Sequence, residues 1–177
     1  MAALLAELPS EEEVLAAGAE QLAALVAHDD WLPDRWAQPH PDRYQQNLLY
    51  GDAAGRFSVV SFVWAPGQQT PVHDHTTWGL IGVLRGAEIS TSYRYAEPGG
   101  LVESGPPTRL EPGGIDAVSP TIGDIHRVRN AFADRPSVSI HVYGANIGTV
   151  TRSSYDQGGR SSFVSGYSNS ELPNPWV

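Results

Sequence analysis

The chain has 177 residues, 41% of them hydrophobic and 18% charged, which suffices for one hydrophobic core and not comfortably for two, so a single domain spanning 1–177 is expected. A formal net charge of −9, with no run of Lys or Arg, offers no face to a phosphate backbone and excludes nucleic acid as an expected partner. Cysteine is absent, which removes disulfides, thiolate ligands and thiol nucleophiles together and leaves His, carboxylate, Tyr, Arg or a metal to carry any chemistry.

Residues 1–10 lack the basic stretch of a signal peptide, and no apolar run approaches the roughly 20 residues of a membrane span, so a cytoplasmic protein without a membrane partner is expected. Ser10 and Glu13 have the spacing of a capping box, and Val14, Gly18, Leu22 and Leu25 recur at helical intervals, which predicts a helix over 11–28 within an N-terminal helical segment, 1–43. From Tyr44 the pattern changes to short β-rich runs. Strands are predicted at 44–50, 56–65, 71–75, 79–84, 87–95, 107–111, 114–119, 125–130 and 137–145. The breaks between them include Gly51-Asp52, Pro66-Gly67, Arg85-Gly86, Pro98-Gly99-Gly100 and Pro112-Gly113-Gly114. Strands so short and so regularly punctuated predict an all-β barrel or sandwich over 44–150. Residues 151–177, rich in Ser, Gly, Asn and Pro, read as an extended tail laid over it.

In a strand, His73 and His75 fall on one face and Asp74 on the other, so two imidazoles are aimed at one point. Taken alone, this pair fits two histidines on a solvated strand equally well. Its surroundings add more. Gly67, five residues, His73-x-His75, three residues, Gly79, six residues, Gly86 resembles the first motif of the cupins, with Gly79 in place of the usual ligand Glu. Gly114, five residues, Pro120, then Gly123, two residues, His126, three residues, Asn130 resembles the second, with one residue added between Pro and Gly. The resemblance implies a cupin jelly-roll, or double-stranded β-helix, in which His73, His75 and His126 meet on one metal. Three neutral imidazoles leave other coordination positions open, an arrangement suited to oxygen-activating iron. Without a carboxylate from position 79 the site keeps the ion's full charge and favours an anionic ligand such as a thiolate.

Ser139, His141 and Tyr143 stand at alternate positions of the run 138–143 and share one strand face. That row can be an ordinary solvated face. The intervening Val138, Ile140 and Val142 are apolar, however, and if both faces are covered a buried polar row needs internal partners, which a chain of hydroxyl, imidazole and phenol supplies. With this row the sequence, over roughly 44–152, resembles the thiol dioxygenases, the cupin family that includes cysteine dioxygenase and 3-mercaptopropionate dioxygenase. The resemblance implies Fe(II) on the three histidines, a small thiol and O2 as substrates, a sulfinate product, and catalytic roles for Ser139, His141 and Tyr143.

Two departures from the mammalian members bear on the substrate. Gly79 stands near the place of a cysteine crosslinked there to the relay tyrosine, and Gln46, in the run Tyr44-Gln45-Gln46-Asn47-Leu48, replaces a carboxylate-binding arginine. Arg152, nine residues after Tyr143, matches an arginine of the bacterial Gln-type members and would hold the substrate carboxylate; read without the resemblance, it fits a surface arginine equally well. Trp78 either shapes the pocket or simply packs. The expected substrate is therefore 3-mercaptopropionate. The alternatives are a cysteine dioxygenase, another metal-binding cupin enzyme, or a non-enzymatic cupin that binds a small molecule.

Overall fold

In a computed structural model, which describes residues 1–97, 100–157 and 159–171, a short helix α1 (Ala2–Ala6) precedes the predicted one, α2 (Glu11–Val26). The capping box forms as expected: the Glu13 backbone N–H donates to Ser10 Oγ at 3.3 Å and the Ser10 N–H to Glu13 Oε2 at 2.8 Å. Val14, Gly18, Leu22 and Val26 form its buried stripe. A Cβ at Gly18 would lie 2.7 Å from Leu80 Cδ1, so glycine there lets the helix sit close on the sheet beneath it. No described helix is long and apolar enough to cross a membrane.

The strands are β1 (Gln45–Gly51), β2 (Ser58–Trp64), β3 (Val72–His73), β4 (Gly79–Arg85), β5 (Glu88–Ala96), β6 (Gly100–Glu103), β7 (Thr108–Leu110), β8 (Ile115–Val118), β9 (Ile125–Asn130), β10 (Ser137–Tyr143), β11 (Arg152–Asp156) and β12 (Gly159–Phe163). They pair antiparallel into one sheet ordered β1-β2-β10-β4-β8 and a second ordered β12-β11-β3-β9-β5-β6, with β7 also on β5. This is the expected double-stranded β-helix of the cupins.

The first sheet is covered on both faces, which explains why β10 is buried along its whole length. Val138, Ile140 and Val142 pack outward into a cluster with Leu22 and Val26 of α2 and with Leu80 and Leu84. Tyr143 packs inward with Val60, Phe62, Trp64 and Val128. Each large apolar side chain so enclosed contributes on the order of 1.5–3 kcal/mol of transfer free energy, which makes the two-sided burial the main support of the barrel wall.

Four strands depart from expectation. β3 ends at His73, so His75 lies beyond the strand proper. β6 was not anticipated, and Pro98 and Gly99 of the turn before it lie outside the described residues. Residues 152–163, expected as part of an extended tail laid over the barrel, form the hairpin β11/β12, whose first strand joins the second sheet by pairing with β3. Asp74 fastens that hairpin: its Oδ1 accepts from the Ser153 N–H at 2.7 Å and its Oδ2 from the Tyr155 hydroxyl at 2.7 Å. Residues 172–177 of the expected tail lie outside the described residues.

Candidate metal centre

β3 and β9 pair at His73 and His126, which brings the two motif halves side by side, and the turn after β3 delivers His75. The three rings stand with centroids 4.8–4.9 Å apart, and one ligand atom from each lies within 4.8 Å of the others. All three residues are buried.

In each ring Nδ1 has a neighbour that leaves Nε2 for a metal. His73 Nδ1 lies 3.1 Å from the Pro71 carbonyl oxygen, His75 Nδ1 2.9 Å from Asp124 Oδ1, and His126 Nδ1 3.4 Å from Ser90 Oγ. His75 Nε2 is buried without a hydrogen-bond partner among the described residues, an orphan acceptor of the kind that a metal ion satisfies. Burial, and then the adjacent His75, lowers the His73 pKa to about 3. The same causes, with His73 added, hold His126 well below the usual imidazole range. Neutral imidazoles are the form that binds metal.

Sequence reasoning missed Asp124. Its carboxylate accepts from the backbone N–H of His75 at 3.0 Å and of Thr76 at 2.8 Å, besides facing the His75 ring. Burial pushes this carboxyl up, but the His75 ring and these two N–H groups outweigh it and hold it below its ordinary value. Thr76, whose N–H makes one of these bonds, has a φ of +59°, a costly conformation for a β-branched residue. The signal was available in the spacing, because Asp124 stands two residues before His126, just ahead of β9, where alternation carried one residue beyond the strand points to the same side.

Ser139, His141 and Tyr143 face the interior as a connected row. Ser139 Oγ lies 2.8 Å from His141 Nε2, and His141 Nδ1 2.8 Å from the Tyr143 hydroxyl oxygen. The Tyr143 ring stacks on His75 at 5.4 Å between centroids, so the row ends against the triad. Burial keeps His141 neutral and raises the Tyr143 phenol above its ordinary range, so both hold single, shareable protons. A Cβ at Gly79 would lie 2.9 Å from Tyr143 Cδ1; the motif position that lacks its carboxylate is the one facing this ring edge.

A cavity of about 580 Å³ reaches His73 between β1, β11 and residues 163–168. Arg152 and Gln46 both line it. Arg152 is only 4% exposed; its Nη2 donates to Ser165 Oγ at 2.7 Å, its guanidinium lies over the Phe163 ring, and its Nε is buried with no partner among the described residues. Gln46 Nε2 donates to Ser165 Oγ and to the Gly166 carbonyl, both at 3.1 Å. Trp78 does not come to the cavity. Its indole lies across Gly144, where a Cβ would be 2.3 Å from Nε1, and it packs with the outer cluster beneath α2, so its expected place in the substrate pocket is corrected to packing.

The sequence profile of cysteine dioxygenase type I matches residues 2–157. The chain belongs to that family. Cysteine dioxygenase type 1 of Danio rerio is 28% identical over 119 residues, covering 64% of this chain and 56% of that protein, and the Rattus norvegicus protein of the same name is 26% identical over 146 residues, covering 79% and 70%. The chain thus spans little more than half the length of the zebrafish relative. Among solved structures, a conserved protein with a double-stranded β-helix domain from Klebsiella pneumoniae superposes with a TM-score of 0.50 at 20% identity, covering 64% of this chain and 82% of that one, a likeness of fold. The cysteine dioxygenase family is metal-dependent, and the three-histidine group is a site of the kind such dependence requires.

Proposed function

We propose that this chain is an Fe(II)-dependent thiol dioxygenase of the cytoplasm that oxidises a small thiol carboxylic acid, 3-mercaptopropionate in preference to cysteine, to its sulfinate with O2. The observation that carries the reading is Arg152 in the cavity that reaches His73, its buried Nε unpaired among the described residues. A guanidinium with spare N–H donors in a buried wall suits a carboxylate, while the metal position a short distance away suits the thiolate. Both ends of one small anionic substrate are thereby addressed.

Iron held by His73, His75 and His126 would bind the thiolate and supply the oxygen chemistry that places both atoms of O2 on sulfur. The chain's own residues do the rest. Arg152 orients the carboxylate, with Ser165 and Gln46 fixing the approach of the cavity wall. Tyr143 directs its hydroxyl toward the reacting atoms from the end of the relay and stabilises charge as it develops. Tyr44 and Phe62, ring centroids 5.9 Å apart, line the cavity with apolar surface that limits water. Among the described lining residues none is acidic and two are arginines, so the ammonium of cysteine meets no carboxylate, which favours the thiol acid that lacks it.

The test is oxygen uptake with sulfinate detection on iron-loaded protein, using 3-mercaptopropionate, cysteine and cysteamine, which has no carboxylate. 3-Mercaptopropionate is expected to be turned over best and cysteamine poorly. Arg152→Ala should lower kcat/KM for 3-mercaptopropionate by tens to thousands of fold, mainly through KM, as losing a charged hydrogen-bonded contact of about 2–5 kcal/mol requires. A parent enzyme that prefers cysteine, with an Arg152→Ala variant that behaves like it, would overturn the substrate assignment.

A further inference from the structure

At the end of the relay away from the triad stands a carboxyl group with no part in the proposed reaction so far. Glu88 opens β5, directly across from Asn130 of β9 and Leu110 of β7, and is fully buried. Among the described residues, neither of its oxygens has a hydrogen-bond partner of ordinary geometry. The polar groups that act on it are the Ser139 hydroxyl and the Trp64 indole, which only partly offset burial and leave its pKa raised to about 7. Trp64 Nε1 in turn reaches Ser139 Oγ at 3.5 Å. A barrel interior has no packing reason to keep a carboxyl there, since an apolar side chain of similar size would avoid the cost of desolvation.

We propose that Glu88 is the distal member of a four-residue chain, Glu88–Ser139–His141–Tyr143, and that it is a positioning residue whose proton sets the direction in which the whole chain donates. Serine, neutral histidine and tyrosine each carry one N–H or O–H donor, so a row of them has only two consistent polarities. With Glu88 protonated, its O–H donates to Ser139 Oγ, the Ser139 O–H to His141 Nε2 and the His141 Nδ1–H to the Tyr143 oxygen, which leaves the Tyr143 O–H free to donate into the site. With Glu88 ionised, every bond reverses. Tyr143 then donates to His141, Ser139 donates to the carboxylate, and the site sees only phenol lone pairs.

Four strands present groups to Glu88: β10 gives Ser139 and, further along, His141 and Tyr143; β2 gives Trp64; β9 gives Asn130; and β7 gives Leu110. None of the groups that shift its pKa is charged, so burial and the hydroxyl row govern its proton. Tyr143, at the far end of the row, responds electrostatically to Glu88.

Two independent readouts on the full chain test this. Infrared difference spectra in H2O against D2O, with and without bound metal, should show a carboxylic-acid C=O band at pH 6 that is absent in Glu88→Gln and displaced in Ser139→Ala. This arm does not depend on the thiol dioxygenase reading. The kinetic arm rests on it: the parent's kcat should fall on the alkaline side with Glu88 ionisation, whereas Glu88→Gln, whose amide N–H donates permanently in the productive direction, should keep its kcat there with KM unchanged. Glu88→Leu should lower kcat about tenfold at all pH values, less than the roughly 10²-fold expected for losing a proton-transferring group outright. A parent without the carboxylic-acid band, a band indifferent to Ser139→Ala, or a Glu88→Gln variant that keeps the parent's alkaline limb would each overturn the proposal.

Discussion

Replacing Asp124 by Asn keeps the shape of the side chain and removes its charge, and the structure shows what that disturbs. The carboxylate faces His75 Nδ1 at 2.9 Å and accepts from the N–H groups of His75 and Thr76 at 3.0 and 2.8 Å. An amide can present only one oxygen to these three donors, and its NH2 would confront at least one of them. The His75 ring then loses the partner that fixes its tautomer and its aim. Outer partners of metal-bound histidines typically account for about 10–100-fold in metal affinity, or about 1.4–2.8 kcal/mol. Anaerobic titration with Fe(II) against a competing chelator should show that weakening at pH 7. Because the folded-state pKa of Asp124 is depressed, its contribution is present above the ordinary carboxylate range and is lost only as pH falls through the lowered value, so the gap between parent and variant should be constant from pH 6 to 8. A variant that binds Fe(II) as tightly as the parent, with an unchanged melting temperature, would refute the view that Asp124 sets His75 for ligation.

His126→Ala should abolish stoichiometric iron binding measured by metal analysis, and full occupancy in that variant would remove His126 from the ligand set. His141→Asn should leave bound iron unchanged and lower turnover per iron, since the ring touches Phe62 and the relay and is not one of the three grouped histidines; equal turnover per iron would return the row to a structural role. Glu88 is costly to ionise in the folded state: a pKa raised from 4.5 to about 7 makes a stability contribution that is complete below pH 4.5 and lost as pH rises through about 7, worth about 3 kcal/mol in all. Urea unfolding should therefore find Glu88→Gln gaining on the parent by about that amount between pH 4.5 and pH 8, and a pH-independent difference would show that the carboxyl is not held in its neutral form.

What could be read in advance was local pattern. Ser10 and Glu13 with the stripe from Val14 announced α2, and the turn dipeptides placed most strands to within two residues. His73, His75 and His126 stood out because glycines and a proline at fixed intervals framed them, and the row at Ser139, His141 and Tyr143 because strand alternation separates it from Val138, Ile140 and Val142. What escaped depends on contacts far apart in the chain. Glu88 reads as a surface acid at the start of a strand, and only closure of the barrel against Trp64 and Ser139 buries it. The hairpin of β11 and β12 shows little alternation because β12 is a largely exposed edge, and its place is set by Asp74. Trp78 was drawn toward the pocket by its nearness to His75 in sequence, yet it faces Gly144.

The cavity wall joins parts of the chain made at very different times. The Gln46 N–H donates to Ser168 Oγ at 2.9 Å, and the Leu48 N–H to Asn169 Oδ1 at 2.7 Å, across about 120 intervening residues. His73, His75 and His126 all precede the hairpin that carries Arg152. As the chain emerges from the ribosome from its N-terminal side, the three histidines become available before Arg152, Ser165 and Ser168 exist to build the wall. A barrel that still lacks this wall leaves the three histidines open to one side, and the last segment to arrive, residues 152–169, closes the cavity that reaches them.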